Sequence, residues 1–292
     1  MHPNVCQGKQ PLPLETRFED KKGHLTLMKR SIQGLQVDLL EPTPRHPGTD
    51  LSLFFIHGAG MDSSIWESQT TYFGRRYPVY CINLPGHGGS EGSGEEKIDL
   101  YAQRVQSVLD ESTPRGPHLL VGHSMGGAIA MELAIRAAPS LIGIVLMGTA
   151  ARLRVMPIVF QSITKHRERF FKSIAYVAFG PDARPDLREH LIAATRRCPL
   201  PVTLKDLKAC NAFDIGDRLP AIAVPTLIIS GAEDQLTPLS LVQDLKERIA
   251  GSRLAVIPGA GHMVMLEAPG AVNREIDGFL ALLWEREGHL NG

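Results

Sequence analysis

The chain has 292 residues with 31 Lys+Arg against 31 Asp+Glu, and it is 43% hydrophobic and 21% charged. This balance excludes the strongly basic surface that supplies most of a nucleic-acid binder's affinity, and the length suits one large core with an insertion better than a string of modules. The longest apolar run, Leu141 to Met147, is broken by Gly143 and falls far short of the roughly 20 residues of a membrane span.

In chain order, the first 20 residues are Pro-rich and polar and are expected to be loosely ordered. They show no apolar core and no small-residue cleavage site, so no secretory signal is expected. Two alternating stretches, Gly23–Lys29 and Leu35–Leu40, predict an antiparallel edge. Six near-continuous apolar runs follow: Leu51–Ile56, Val79–Leu84, His118–Val121, Ile142–Met147, Thr226–Ile229 and Leu254–Ile257. Such runs suit parallel strands buried on both faces. Between them lie stripes of helical period: Tyr101, Val105, Val108 and Leu109, then Leu241, Leu245 and Ile249. Val272, Ile276, Phe279, Leu280 and Leu283 make the last, just after Pro269. Strand and helix in alternation predict an α/β fold with helices on both faces of a mostly parallel sheet.

Residues 151–214 break the rhythm. They hold no clear strand, and they mix Phe160, Phe170, Phe171, Ile174, Tyr176, Val177 and Phe179 with basic residues between prolines. The expectation is a helical insertion over one edge of the sheet, flanked by core segments 1–150 and 215–292, with its apolar residues suggesting a pocket. The four cysteines, Cys6, Cys81, Cys198 and Cys210, are too scattered for a disulfide framework or a zinc site. A reduced, cytoplasmic protein with Cys81 as a buried thiol is expected.

The strongest chemical signal is Gly122-His123-Ser124-Met125-Gly126-Gly127, placed between the run HLLV and the helical segment AIAMELAIRAA. Gly-x-Ser-x-Gly between strand and helix marks a nucleophile elbow. The glycines allow a reversal so sharp that the serine takes strained angles, and the helix N-terminus then directs free N–H groups at its oxygen. A serine needs a base. His262, in a loop just past Leu254–Ile257, lies at the carboxyl end of a strand, as Ser124 does. Asp234, just past Thr226–Ile229, is the carboxylate that would orient His262, with Glu233 as its competitor. The segment GTAARL after Met147 offers no acid.

The order Ser124, Asp234, His262 fits this class of site. The oxyanion donors are expected to be the backbone N–H groups of Met125 and of Ala59, the latter in His57-Gly58-Ala59-Gly60 after the first parallel strand. His57 and His123 read as structural residues. Leu84-Pro85-Gly86-His87-Gly88-Gly89-Ser90 lacks the Lys-Ser/Thr of a P-loop and reads as supporting turn geometry. No dinucleotide Gly pattern follows the first strand.

These pieces together resemble the α/β-hydrolase superfamily: HGAG at 57–60, LPGHGGS at 84–90, GHSMGG at 122–127, PTLIISGAED at 225–234 and PGAGHMVMLEAP at 258–269. The resemblance covers about 51–150 and 215–285. It implies the α/β-hydrolase fold, with an eight-stranded, mostly parallel sheet, a helical cap at 151–214 and no cofactor. Asn83 departs from it, standing where an Asp is frequent. Serine at 124, in place of the aspartate of dehalogenases and epoxide hydrolases, implies an acyl-enzyme. The expected activity is serine-esterase hydrolysis of a small or medium apolar ester, with a small-molecule substrate and no nucleic-acid partner. The oligomeric state is left open. The rivals are a carbon–carbon bond hydrolase of meta-cleavage type, with Arg152, Arg154, Arg167 or Arg169 holding a carboxylate, a thioesterase or acyltransferase, and a ligand receptor of the same fold.

Overall fold

The structure, a computed structural model, describes residues 18–19, 25–42, 51–113 and 116–288. The segment expected to be loosely ordered lies, apart from Phe18 and Glu19, outside the described residues, as does Cys6. In chain order the elements are β1 (Phe18–Glu19), β2 (Leu25–Ile32), β3 (Leu35–Pro42), β4 (Ser52–Ile56), α1 (Glu67–Phe73), β5 (Val79–Ile82), α2 (Ile98–Ser112) and β6 (His118–His123). Next come α3 (Met125–Ile135), β7 (Leu141–Met147), α4 (Pro157–Lys165), α5 (Arg167–Val177), α6 (Pro185–Arg197) and α7 (Leu200–Ala212). The chain closes with β8 (Thr226–Gly231), α8 (Leu239–Arg248), β9 (Arg253–Ile257), α9 (Val264–Glu267) and α10 (Pro269–Gly288).

The strands form one sheet in the order β1-β2-β3-β5-β4-β6-β7-β8-β9. The β4 to β9 pairings are parallel, and β1, β2 and β3 add an antiparallel edge. The eight expected strands are all present, and the two-residue β1 adds a ninth at the rim. β2 and β3 are joined by Gln33 and Gly34, both at positive φ (52° and 77°), the backbone of a two-residue hairpin turn.

The parallel strands β4 to β8 are buried on both faces because their residues alternate between two cores, while β9, at the sheet edge, is only partly covered. Phe54, Ile56, Tyr80, Ile82, Leu120, Ile144, Leu146 and Ile228 face one core, where α2, α3 and α8 pack. Leu53, Phe55, Val79, Cys81, Leu119, Val121, Val145, Met147, Leu227 and Ile229 face the other, closed by α1, α9 and α10. Each such aliphatic or aromatic side chain stabilises the fold by roughly 1.5–3 kcal/mol. The stripes in α2 and α10 are buried as the period predicts. In α8 the reading was off by one position. Val242, Leu245 and Ile249 form the buried stripe while Leu241 is 42% exposed, because i, i+3, i+7 from 242 is the face turned to the sheet.

Between β7 and β8 the chain makes four helices, α4 to α7. The segment leaves and re-enters at one place: Arg152 bridges Asp214 across a short antiparallel contact, and Ile215 N–H donates to the Ala151 carbonyl at 2.9 Å. Pro157 and Pro185 stand in the first turns of α4 and α6, where a missing N–H costs nothing. The helices share a small core of Ile163, Phe170 and Phe171, with Ile174, Ile192 and Leu204 against it.

Candidate active site

Strand order reverses around β4, whose neighbours are β5 and β6. In an open parallel sheet, ligands bind beside such a switch, at the carboxyl ends of the strands. β6 ends at His123 and α3 begins at Met125, leaving Ser124 alone to turn the chain. Its φ of 52° and ψ of −114° lie in a region L-residues rarely adopt, a strain of roughly 1–3 kcal/mol. Backbone crowding explains the flanking glycines. A Cβ on Gly122 would lie 2.3 Å from the Gly126 carbonyl oxygen, and one on Gly126 would lie 2.2 Å from the Ile56 carbonyl oxygen. Ser124 N–H is held by the Met147 carbonyl at 2.8 Å. From His118 to Ala134 every residue but Ser124 is buried, so the turn presents one side chain to solvent.

His262 follows β9 and is buried, with Nδ1 hydrogen-bonded to Asp234 Oδ2 at 2.9 Å. Asp234, in the turn after β8, is also buried. Its Oδ1 accepts the N–H groups of Leu236 (2.8 Å) and Thr237 (2.9 Å), and its Oδ2 accepts the Thr237 hydroxyl at 2.6 Å. Burial alone would raise this carboxyl, but the His262 imidazole and the Thr237 bonds outweigh it and bring it down to about 2. Glu233, the competitor, is exposed and points to no such partner. Gly148, next to Met147 at the end of β7, makes room for the imidazole: a Cβ there would be 3.0 Å from His262 Nδ1. Ser124 and His262 thus share the end of β6 and β7, and Asp234 sits behind His262.

His123 joins the two. Its Nε2 lies 3.1 Å from the His262 carbonyl, and the two rings are 4.7 Å apart. Burial, then the neighbouring His262, pushes His123 well below its ordinary value, so it is neutral, and the carbonyl acceptor places its proton on Nε2. The structural role expected of His123 is thus a specific one: it supports the backbone that carries His262.

The loop after β4 comes close to the elbow: a Cβ on Gly58 would be 3.3 Å from Ser124 Cβ. Ala59 follows at once, and Met125 opens α3. His57 is buried, and its Nε2 accepts the Leu84 N–H at 3.0 Å, so its proton is on Nδ1, which donates to the Gly58 carbonyl at 2.8 Å. With its lone pair engaged it is no base. Burial, and then the positive His87, lower it to about 4. Asn83, the departure noted in the sequence, supports the turns. Its Oδ1 accepts Ser63 N–H at 2.9 Å and its Nδ2 donates to the Gln36 carbonyl at 3.1 Å.

Two carboxylates that the sequence did not single out bind the 151–214 segment to these loops. Glu267 accepts Gly261 N–H and Gly180 N–H, each at 2.8 Å, and its burial raises its pKa. Asp206, on α7, accepts Gly60 N–H at 2.8 Å, His87 Nε2 at 2.9 Å and the Tyr101 hydroxyl. His87, Asp206 and Cys198 place three metal-capable atoms within 4.8 Å of one another. The direct His87–Asp206 bond makes this an ion pair. No spacing betrays either carboxylate: Glu267 binds backbone N–H groups, and the partners of Asp206, Gly60, His87 and Tyr101, are more than 100 residues away in sequence.

The apolar residues expected to shape a pocket are placed differently. Phe170 and Phe171 fill the core of the four helices, Phe179 is buried in the main core, and Tyr176 is 70% exposed. On an amphipathic helix the aromatic face is drawn first to its neighbouring helices. Nor are most of the arginines of the segment free to hold a substrate carboxylate. Arg152 and Arg154 pair with Asp214, and Arg167 donates to the Cys198 carbonyl. Arg169 lines an open depression on α5, with Glu168, Lys172 and Tyr176, that includes none of Ser124, Asp234 and His262.

Sheet order, elbow and loop placement define a class, and the comparison with protein families agrees: residues 53–275 match the model of the alpha/beta hydrolase family. The chain belongs to that family. Among curated proteins it is similar to the pimeloyl-[acyl-carrier protein] methyl ester esterase of Aeromonas hydrophila, 28% identical over 239 residues (76% of this chain, 91% of the relative). It is equally similar to 3-oxoadipate enol-lactonase 2 of Acinetobacter baylyi, 28% identical over 235 residues (77% and 87%). Among solved structures, a thermophilic esterase superposes with a TM-score of 0.77 at 33% identity, covering 89% of this chain and 98% of that one. No helix among the described residues is long and apolar enough to cross a membrane.

Proposed function

We propose that the protein is a serine esterase that cleaves small or medium apolar carboxylic esters through an acyl-enzyme. The observation that carries this reading is the pairing of His262 Nδ1 with the buried Asp234 at the sheet end where Ser124 is the one solvent-reaching residue of its turn. With Nδ1 engaged, Nε2 is the nitrogen left to take the Ser124 proton as its oxygen attacks the carbonyl carbon. Asp234, ionised at any working pH, stabilises the imidazolium formed. The tetrahedral oxyanion is met by the N–H groups of Met125 and Ala59. Collapse expels the alcohol, which receives the proton from His262. Water then attacks the acyl group, giving its proton to His262, and the acid leaves. No step needs a cofactor.

The activities named for the relatives support the ester bond: one is a methyl ester esterase, the other acts on an enol-lactone, an internal ester. We read 151–214 as a cap over this end of the sheet, since Asp206 and Glu267 fasten it to the loops of Gly60 and Gly261. The commitments of Arg152, Arg154 and Arg167, and the place of Arg169 in a depression that includes none of Ser124, Asp234 and His262, disfavour the carbon–carbon hydrolase reading, which needs a free cation at the site for a carboxylate.

The test is turnover of 4-nitrophenyl esters of increasing chain length beside a fluorophosphonate label mapped to its residue. Label on Ser124, with turnover that it abolishes, is expected. Label elsewhere, or labelled protein that keeps its activity, overturns the assignment.

A further inference from the structure

We propose that Asp206, a carboxylate of α7, is a positioning residue for the oxyanion loop: it fixes the Ala59–Gly60 peptide and, through it, the adjoining Gly58–Ala59 peptide, whose N–H is the Ala59 donor that faces the substrate. The inference rests on the serine-esterase reading and adds a residue that the triad does not contain.

Asp206 is wholly buried. Its three donors come from three separate core segments: Gly60 after β4, His87 after β5 and Tyr101 in α2. Docking a helix does not require this. Burying a carboxylate is costly, and apolar side chains in its place hold comparable interfaces equally well. Val202, Ala209 and Cys210 already bury an apolar face of α7. The charge therefore calls for a reason beyond packing, and its first donor supplies one.

Gly60 has φ of +66°, and its N–H points into α7. Met61 N–H turns back to the Gly58 carbonyl at 3.3 Å. His57 holds that same carbonyl from the other side at 2.8 Å. The loop is clamped at Gly58 by His57 and at Gly60 by Asp206. Between the clamps, Ala59 N–H makes no hydrogen bond among the described residues. A donor held this way needs no reorganisation when charge develops on the substrate oxygen, which is the source of oxyanion-hole catalysis. His87 supports the arrangement. Burial would lower it, but the Asp206 charge and hydrogen bond raise it to about 10, so a cation stands beside the carboxylate at neutral pH.

The experiment compares Asp206→Asn and Asp206→Ala with Tyr101→Phe, which removes a different arm of the same carboxylate and leaves Gly60 alone. Readouts are kcat and KM on 4-nitrophenyl butyrate, melting temperature, fluorophosphonate labelling, and affinity for a trifluoromethyl ketone whose hemiketal oxygen enters the same hole. Asp206→Asn, whose amide oxygen can still accept the Gly60 N–H, should lose less than about tenfold in kcat. Asp206→Ala, which deletes that acceptor, should lose roughly 10- to 100-fold in kcat with KM within about threefold, and lose ketone affinity by a similar factor. Tyr101→Phe should keep kcat within about threefold even where it melts earlier. Both Asp206 variants should still take the label at Ser124.

Asp206→Ala, or Asp206→Leu should the alanine variant not fold, with unchanged kcat and ketone affinity below its melting temperature overturns the proposal and leaves Asp206 an anchor of the helix. So does failure of every Asp206 variant to fold. If the wild-type protein neither turns over esters nor takes label at Ser124, the serine-esterase reading itself falls. An active, labelled wild type with an indifferent Asp206→Ala sinks only this inference.

Discussion

The carboxyl ends of the parallel strands and the helices of residues 157–212 are held by different kinds of contact. At the strand ends backbone lies on backbone: a Cβ on Gly126 would meet the Ile56 carbonyl oxygen at 2.2 Å, and one on Gly231 the Ala260 carbonyl oxygen at 2.2 Å. The four helices instead enclose a side-chain cluster of their own, around Ile163, Phe170 and Phe171. Toward the sheet they add Ala209 and Cys210 to one main core and Ala175 and Leu191 to the other, with polar ties at Arg197–Asp62 (2.8 Å), Glu267–Gly180 (2.8 Å) and the Asp206 cluster. Backbone contacts permit almost no substitution, whereas side-chain packing tolerates many exchanges that keep volume. The proposed reacting groups stand where geometry cannot drift, and the proposed cap stands where sequence can change.

The largest effect expected from this contrast is on the strand-end side. Ser124→Ala should lower ester hydrolysis by roughly 10³- to 10⁶-fold. Its melting temperature should stay near that of the wild type, because one hydroxyl at a solvent-reaching turn is removed. A loss under about tenfold would place the nucleophile elsewhere. Next is the carboxylate. Asp234→Asn should cost roughly 10²- to 10⁴-fold in kcat, through the wrong tautomer and the lost charge. Glu233→Gln, on an exposed neighbour, should leave activity within about twofold. The reverse pattern in steady-state assays would exchange the two acids.

The same contrast explains what could be read from the sequence. Strands buried on both faces leave continuous apolar runs, so β4 to β8 are visible in the sequence, and the edge strand β9 shares the apolar run though it is only partly covered; Ser124, Asp234 and His262 lie just beyond β6, β8 and β9. The glycines at 122 and 126 were legible because the crowding they relieve is local. The helical nature of 151–214 could be read, but not its inward faces. Tyr176 and Phe171 look alike in the sequence, yet one is 70% exposed and the other 1%. Asp206 and Glu267 were invisible for a different reason. They bind backbone N–H groups at Gly60, Gly180 and Gly261, which leave no residue type to recognise, and the side-chain partners of Asp206, His87 and Tyr101, lie more than 100 residues away in sequence.

A smaller effect tests the backbone contact itself. Gly126→Ala must move the Ile56 strand or α3, and should cost roughly 1–3 kcal/mol or more in urea denaturation. Gly278→Ala in α10 meets nothing within 4 Å of its Cβ and should stabilise by roughly 0.5–1 kcal/mol through helix propensity. Equal responses at the two sites would mean that close approach at the strand ends is not what holds the elbow.

The smallest effect is a pH dependence of stability set where the helices meet the sheet. His57 and His87 have rings 4.9 Å apart and opposite shifts. His87 is up at about 10 from an ordinary 6.5, as the Asp206 carboxylate overcomes the cost of burial. The stability it contributes is full below 6.5 and is lost as pH rises through about 10. His57 is down at about 4, through burial and then the charge of His87. Its contribution is full above 6.5 and is lost as pH falls through about 4. The Tyr101 phenol, which also faces Asp206, is pushed up by burial and that charge beyond the range that matters, and the Cys210 thiol is likewise raised. The melting temperature should therefore peak near neutrality and decline on both sides. Asp206→Asn should flatten the alkaline limb between 6.5 and about 10 while leaving an acid limb. If scanning calorimetry finds the alkaline limb unchanged in that variant, the charge pair is not what couples α7 to the loops of the sheet.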